Sequence, residues 1–205
     1  MIEQYSPEWF AQRLGKVTAS RIADVMAKTK TGYSASRKNY MAQLVVERMT
    51  GQPVDSYTNA AMQWGMEQEP FARAEYEFLR GNKVMTAEFV QHPKIADSGA
   101  SPDGLIGNDG LFEAKCPNTA THIETLLSQK IDNKYILQMQ WQMACTGRQW
   151  CDFVSFDPRL PDLSLFVKRI ERDNKIIKGI EAEVADFLGE LEYMVGELNK
   201  LKDAA

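Results

Sequence analysis

The sequence is poor in the residues that bind metals through nitrogen or sulphur, since its 205 residues include only two histidines and three cysteines. The cysteines, Cys116, Cys145 and Cys151, lack metal-binding spacing, and their odd number indicates reduced thiols. No apolar run approaches the roughly 18 residues of a membrane span. Residues 1–10 lack the basic and apolar regions of a secretory signal. We therefore expect a cytoplasmic protein without a membrane segment.

An excess of positive charge is also missing, because 24 lysines and arginines face 28 acidic residues and give a net charge of −4. This balance argues weakly against a nucleic-acid partner, although basic groups could still line one channel of an acidic protein. The sequence contains no internal repeat and no low-complexity segment. Its length and its hydrophobic content of 44% suit one globular domain spanning residues 1–205.

Capping residues and hydrophobic periodicity divide the chain into helices and strands. Ser6 and Pro7 predict a first helix that ends at Gly15, and residues 28–36 read as a polar loop with two lysines. Further helices are expected at about 18–26, 36–50, 59–80, 119–129, 133–145 and from 173 onward. Strands are expected at 83–91, 98–106, 110–116, 149–156 and 163–170. The order predicts an α/β or α+β domain in which a three-stranded meander belongs to a mixed central sheet flanked by helices.

The most informative segment is SPDGLIGNDGLFEAKCP, residues 101–117. Asp103 lies at the start of one predicted strand, and Glu113 and Lys115 lie two residues apart on the next. Side chains at positions i and i+2 share one face of a strand. The turn at residues 108–110 would place the two strands side by side. Two carboxylates and one ammonium group can therefore converge.

Such a group has a chemical use at a phosphodiester. Carboxylate oxygens and a backbone carbonyl, such as that of Ala114, are ligands that Mg²⁺ prefers. One or two such ions stabilise the attacking and leaving oxygens of a phosphodiester. Lys115 could orient the attacking water, or accept its proton if burial lowered the lysine pKa.

An ordinary structural role is the alternative, since Glu-x-Lys is common on strands and Pro-Asp-Gly is common in turns. Against it, Glu113 and Lys115 interrupt a strand that should lie centrally, where charged residues are rarely buried. Glu69 adds a carboxylate that a solvated helix face would equally explain. Gln138 and Gln142 lie four residues apart on one helix face, among apolar neighbours that indicate a buried helix.

Six short motifs occur in a fixed order along the chain. They are W-x-x-x-R-L-G (9–15), T-A-S (18–20), W-G-x-x-x-E (64–69), S-P-D-G-L (101–105), E-x-K-C-P (113–117) and Y-x-x-Q-x-Q (135–140). With these motifs the sequence resembles the bacteriophage lambda exonuclease family of the PD-(D/E)XK nuclease superfamily, whose motif corresponds to Pro102-Asp103 and then Glu113-Ala114-Lys115. The resemblance extends from about residue 9 to residue 173 and implies a restriction-endonuclease-like core.

The resemblance assigns roles to residues around this motif. It implies that Asp103 and Glu113, with the carbonyl of Ala114, bind Mg²⁺, or Mn²⁺ in its place. It implies that Lys115 positions or activates the water. Two further residues that would line this site are Glu69 and Gln138.

A second set of implied roles concerns the DNA. Arg13, Ser20 and Ser101 would hold the 5′-terminal phosphate, because a guanidinium group makes bidentate phosphate contacts. Met62 would be an apolar wedge that parts the terminal base pairs. Lys28 and Lys30 would contact the duplex, where a lysine can bind a phosphate.

The resemblance implies a metal-dependent 5′→3′ exonuclease that digests one strand of linear double-stranded DNA to mononucleotides and leaves a 3′ overhang. It also implies a ring-shaped homotrimer in the cytoplasm of a bacterial host, and a phage-type single-strand annealing protein as partner.

Two alternatives remain open. An endonuclease or repair nuclease on the same scaffold would cut internal sites. It would therefore not need Arg13, Ser20 and Ser101 to bind a terminal phosphate. A catalytically silent DNA-end-binding protein would not need intact Asp103, Glu113 and Lys115. Iron–sulphur nucleases of this scaffold are disfavoured because they need four cysteines. A histidine–metal nuclease is disfavoured too, because both histidines lie far from the motif.

Overall fold

The computed structural model describes residues 4, 6–54 and 60–204. Several of its helices begin at polar caps: the side chain of Ser6 accepts a hydrogen bond from the Trp9 amide, and Asp173 caps the last helix. Gly51 and Gly147 end two helices in the left-handed conformation. The helices are α1 (Pro7–Arg13), α2 (Ile22–Met26), α3 (Ala35–Thr50), α4 (Ala60–Arg80), α5 (Thr119–Ser128), α6 (Asn133–Thr146) and α7 (Asn174–Asp203).

These bounds confirm the predicted helices within a few residues. The expected second helix, however, begins with a 3₁₀ turn over Ala19–Arg21 and becomes α-helical only afterwards. The predicted first residue of α4, Asn59, lies outside the described residues. In the part of the chain that the structure describes, no helix is sufficiently long and apolar to cross a bilayer.

Among the described residues, the strands form three sheets. The central sheet has five strands in the order β10-β9-β8-β7-β4, a second sheet has the order β1-β6-β5, and β2 and β3 form a hairpin. The strands are β1 (Val17–Thr18), β2 (Lys28–Thr29), β3 (Gly32–Tyr33), β4 (Val84–Met85), β5 (Val90–Gln91), β6 (Ser98–Ala100), β7 (Gly104–Ile106), β8 (Gly110–Lys115), β9 (Trp150–Phe156) and β10 (Leu165–Glu171).

The predicted three-stranded meander is wrong, because two of its strands are divided between sheets. The segment 98–106 contains both β6 and β7, and the segment 83–91 contains both β4 and β5. Pro102 has no amide hydrogen to donate to a ladder, so it separates β6 from β7. The predicted polar loop 28–36 contains the β2–β3 hairpin, in which Thr29 Oγ1 donates to the Gly32 carbonyl at 3.1 Å.

Strand β8 is the middle strand of the central sheet. It runs antiparallel to β7 on one side, through the predicted turn, and parallel to β9 on the other. This mixed pairing confirms the predicted fold class, and residues 110–114 are buried. The alternating side chains of β8 therefore face two different layers of helices.

Helix α4 covers one face of this sheet and helix α6 covers the other. On the α4 side, Phe112 of β8 packs near Ala72 and Tyr76. On the α6 side, Leu111 packs with Met139 and Met143. Glu113 and Lys115 share the face of Leu111, so they point toward α6. The largest core cluster lies where α3, α6 and α7 meet, and includes Tyr40, Trp141 and Phe187.

Candidate active site

Glu113 and Lys115 contact each other on one face of β8. The ammonium group of Lys115 forms an ion pair with Glu113 Oε1, as the spacing of two residues allows. The side chain of Glu113 has no exposed surface, whereas that of Lys115 is 27% exposed. The pair thus extends from the sheet interior toward solvent.

Helix α6 supplies the remaining partners of Glu113. Gln138 Nε2 donates to Glu113 Oε1 and Gln142 Nε2 donates to Glu113 Oε2, both at 2.6 Å. The four-residue spacing places both amides on the same side of the helix, as predicted. Both carboxylate oxygens of Glu113 are therefore bound by side chains of α6.

Asp103 is the residue immediately before β7, and it lies at the same site. Its Oδ2 accepts a hydrogen bond from the backbone amide of Ala114 at 2.9 Å. The β7–β8 hairpin produces this contact, because Gly104 pairs with Phe112 in the register of the two strands. The hairpin brings Asp103 beside the segment that carries Glu113 and Lys115.

Helix α4 adds Glu69 and Arg73. Arg73 Nη2 donates to the backbone carbonyl of Asp103 at 2.6 Å and lies 3.6 Å from Glu69 Oε1. The sequence alone did not identify Arg73 as part of the site. The available signal was its position one helical turn after Glu69, where the two side chains share a face. Arg73 thereby connects Glu69 to the Asp103 turn.

The carboxylates are close enough to perturb one another. Burial raises the pKa of Asp103 well above its ordinary value, and the charges of Glu113 and Glu69 add to this effect. Burial also raises the pKa of Glu69, although the neighbouring Arg73 opposes the shift. Burial and the charges of Glu69 and Asp103 raise the pKa of Cys116 to about 12. Negative charge is therefore in excess here.

At Lys115, burial and the neighbouring charges shift the pKa in opposite directions. Burial disfavours its charged form, but the charges of Glu113 and Asp103 outweigh this effect and raise the pKa. The neighbouring carboxylates therefore favour the ammonium form of Lys115. The ion pair with Glu113 holds this ammonium group at the edge of the carboxylate cluster.

The chemistry of the donors fits a hard divalent cation such as Mg²⁺, because carboxylate and carbonyl oxygens are its preferred ligands. Asp103, Glu113 and the carbonyl of Ala114 are the groups that could hold one. Within residues 4, 6–54 and 60–204, no three histidine, cysteine, aspartate or glutamate side chains form a metal-binding group by themselves. A cation at this place would accordingly need the carbonyl and water as further ligands.

The candidate phosphate-binding residues lie at one end of the β1–β6–β5 sheet. Arg13 Nη1 donates to Ser101 Oγ at 2.9 Å, and the guanidinium group stacks 4.0 Å from the ring of Trp9. Thr18 of β1 pairs with Gly99 of the parallel strand β6. Ser20 lies two residues after Thr18, and Ser101 lies two residues after Gly99. Because β1 and β6 are parallel, both serines follow the same end of the sheet.

The three candidate DNA-contacting residues lie on helix α4 and on the β2–β3 hairpin. Met62 is half-exposed near the start of α4, seven residues before Glu69 and therefore on the same helix face. Lys28 forms an ion pair with Glu183 of α7. Lys30 is exposed between the two strands of the β2–β3 hairpin.

Comparisons with known proteins agree with this architecture. The structure is similar to that of the alkaline exonuclease LHK-Exo from Laribacter hongkongensis, with 56% identity, a TM-score of 0.90 and coverage of 98% of this chain and 100% of that chain. LHK-Exo in complex with dAMP gives the same identity and coverage and a TM-score of 0.91. No curated protein matches.

A more distant structure and a family model complete the comparison. A phage-related exonuclease from Haemophilus somnus 129PT shares the fold, with 17% identity, a TM-score of 0.73 and coverage of 89% of this chain and 96% of that chain. The family model of the YqaJ-like viral recombinase domain matches residues 8–149. Together these similarities support a nuclease role. The chain belongs to the YqaJ-like viral recombinase domain family, in agreement with its resemblance to the lambda exonuclease family.

Proposed function

We propose that this protein is a metal-dependent 5′→3′ exonuclease that digests one strand of linear double-stranded DNA to mononucleotides and leaves a 3′ overhang. The observation that carries the proposal is the convergence of Asp103, Glu113 and Lys115 at the β7–β8 hairpin. Ser101, which accepts from Arg13, lies only two residues before Asp103. The short segment 101–103 thus connects the carboxylate site to the guanidinium group that would bind a terminal phosphate.

Asp103, Glu113 and the carbonyl of Ala114 would hold Mg²⁺, with Mn²⁺ as an alternative. When bound, such an ion would stabilise the charge that develops on the oxygens of the phosphodiester. Lys115, in its ammonium form, would orient the attacking water. Glu69 and Gln138 would line the same site, with Arg73 holding Glu69 beside the Asp103 turn.

The direction of digestion would follow from the phosphate-binding group. Arg13, with Ser101 and Ser20, would hold the 5′-terminal phosphate, since charge-assisted hydrogen bonds from a guanidinium suit a phosphate. The related LHK-Exo has been crystallised with dAMP, a nucleoside monophosphate. A product of that kind is what stepwise release of mononucleotides would give.

The larger assembly is part of the same proposal. One nuclease domain over residues 1–205 would associate as a ring-shaped homotrimer around the duplex. Met62 would part the terminal base pairs, and Lys28 and Lys30 would contact the backbone of the duplex. A phage-type single-strand annealing protein would bind the 3′ overhang in the cytoplasm of the bacterial host.

The deciding experiment is digestion of a linear duplex that carries its label at either the 5′ or the 3′ end of one strand. In Mg²⁺ we expect early release of the 5′ label as a mononucleotide and no release in the presence of EDTA. Early loss of the 3′ label would contradict the polarity. Cutting of closed circular DNA would favour an endonuclease, and binding of duplex ends without digestion would favour a silent end-binding protein.

A variant pair tests the site assignment in this assay. Asp103→Asn should reduce digestion at least about a hundredfold, because even residues that only support metal ligands typically contribute about 10- to 100-fold. Asp109→Asn, in the exposed turn of the same hairpin, is the matched control and should digest at the wild-type rate. Equal rates for the two variants would remove Asp103 from the site.

A further inference from the structure

Gln142 is a buried polar residue whose role the proposed chemistry leaves open. Its side chain has no exposed surface, and its Nε2 donates to Glu113 Oε2 at 2.6 Å. The neighbours of Gln142 on α6 include Trp141 and Met143, which are also fully buried. An apolar residue would fit this environment, so the amide requires an explanation.

The contacts of Glu113 differ between its two oxygens. Oε1 faces Lys115 and Gln138, which are both partly accessible to solvent. Oε2 faces the fully buried amide of Gln142. The carboxylate is therefore oriented, with Oε1 toward the open side of the site and Oε2 toward the interior.

The oxygen of the same amide does not account for a glutamine at this place. Gln142 Oε1 is buried and has no hydrogen-bond partner in the described part of the chain. A buried acceptor without a partner destabilises the folded state. The oxygen of Gln142 therefore adds no stabilising hydrogen bond within the described residues, and the contact of its nitrogen with Glu113 is what distinguishes it from an apolar side chain.

The geometry points to Gln142 as a positioning residue that holds Glu113 Oε2 inward, so that Glu113 offers only Oε1 to the cation. This inference rests on the proposed function, in which Glu113 is a metal ligand. Hydrogen bonds from outside the ligand set commonly orient metal-binding carboxylates in this way. Loss of the amide would allow the carboxylate to rotate, which would weaken binding of the metal.

Gln140 provides a matched control on the same helix. It is also buried, but its Nε2 donates to the backbone carbonyl of Glu171 and its Oε1 accepts from the amide of Asp173. These contacts connect α6 to the start of α7 and do not involve Glu113. Gln140→Leu should therefore lower the melting temperature without changing metal affinity.

The test measures binding of Mn²⁺ alone, by electron paramagnetic resonance titration of the full chain without DNA. Wild type, Gln140→Leu, Gln142→Leu and Glu113→Ala are compared, with circular dichroism and thermal unfolding to confirm the fold. We expect Gln142→Leu to bind about 10- to 100-fold more weakly than wild type. Gln142→Met, with an unbranched side chain of similar length, should show the same loss and replaces the leucine variant if that one does not fold.

The outcomes separate the two proposals. Absence of Mn²⁺ binding by wild type, or unchanged binding by Glu113→Ala, would contradict the metal site itself. If wild type binds and Glu113→Ala does not, a Gln142 variant that binds within twofold of wild type would overturn the positioning role. Failure of both Gln142 variants to fold would also overturn it, because the amide would then serve stability.

Discussion

At the scale of the residue, Glu113 combines a negative charge with complete burial. Such a charge is tolerated only where other groups compensate it. Lys115 provides an opposite charge, and Gln138 and Gln142 provide hydrogen bonds at 2.6 Å. Each partner comes from β8 or α6, so the position of Glu113 depends on the packing of that helix against the sheet.

Arg13 allows a test of a single contact. If its guanidinium binds the terminal phosphate, Arg13→Ala should reduce the preference for 5′-phosphorylated over 5′-hydroxyl ends by about tenfold or more. The reason is that a hydrogen bond to a charged group contributes roughly 1.5–3 kcal/mol, and about 1.4 kcal/mol corresponds to a factor of ten. The measurement is the ratio of initial digestion rates on the two kinds of end.

The control for Arg13 is Arg80→Ala, which removes an exposed arginine at the end of α4. This variant should retain the wild-type ratio of rates. If Arg13→Ala leaves both the ratio and the two rates unchanged, another group recognises the end. Loss of rate on both kinds of end to the same extent would point to a structural role for Arg13 beside Trp9.

Part of this site follows directly from local spacing. The shared face of Glu113 and Lys115 needs only the two-residue period of a strand, and that of Gln138 and Gln142 needs only the helical period. The contact between Arg73 and the Asp103 carbonyl joins residues 30 positions apart. Such a contact depends on how α4 packs on the sheet, which spacing along the chain does not reveal.

At the scale of the element, the β7–β8 hairpin requires glycine where chains approach closely. A Cβ atom on Gly104 would lie 2.1 Å from Val84 Cγ1, and one on Gly110 would lie 2.2 Å from the ring of Trp150. Both distances are far shorter than van der Waals contact. The glycines of the hairpin therefore leave room for the side chains of Val84 on β4 and Trp150 on β9, the strands that flank the hairpin in the central sheet.

The turn between β9 and β10 gives a prediction for pH. Asp157 is buried there, and its Oδ1 accepts from the amide and from Nε of Arg159, at 3.0 and 2.7 Å. Burial opposes the charged form, but the hydrogen bonds from Arg159 and Thr119 outweigh it and lower the pKa. Asp157→Asn should therefore lower the free energy of unfolding at pH 7 by roughly 1–3 kcal/mol.

The sign of the pH dependence follows from the lowered pKa. A carboxylate whose pKa is lower in the folded state stabilises that state above its unfolded pKa, and this contribution disappears as the pH falls through the folded pKa. The difference between wild type and Asp157→Asn in urea unfolding should thus shrink in acid. Asp162→Asn, exposed in the same turn, should match wild type throughout. A difference that persists at low pH would assign the effect to packing.

The helices were predictable because their signals are local, as with the Ser6 cap and the glycines after α3 and α6. The division of two predicted strands between separate sheets was not predictable from the sequence. Strand β6 pairs with β1, and Thr18 lies 81 positions before its partner Gly99. A continuous run of apolar residues cannot show which of two sheets each half will join, since the partner strand decides it.

At the scale of the whole molecule, the net charge of −4 is unusual for a protein proposed to form a ring around duplex DNA. Non-specific binding of duplex depends on basic groups that neutralise phosphates. One of the candidate contacts, Lys28, is already paired with Glu183. Ionic attraction alone would therefore retain this protein poorly, whereas a closed ring would retain it by enclosure.

Enclosure makes two measurable predictions. Sedimentation equilibrium should give about 70 kDa, three times the chain mass of 23.2 kDa. Once digestion of a long duplex has begun, addition of heparin or of salt should stop new initiation while molecules already digesting continue, because release from a ring does not depend on ionic contacts. Heparin present before the enzyme is the control and should block digestion completely. A monomeric mass together with an immediate halt on addition of heparin would exclude the ring, and the protein would then have to rebind its substrate for each short interval of digestion.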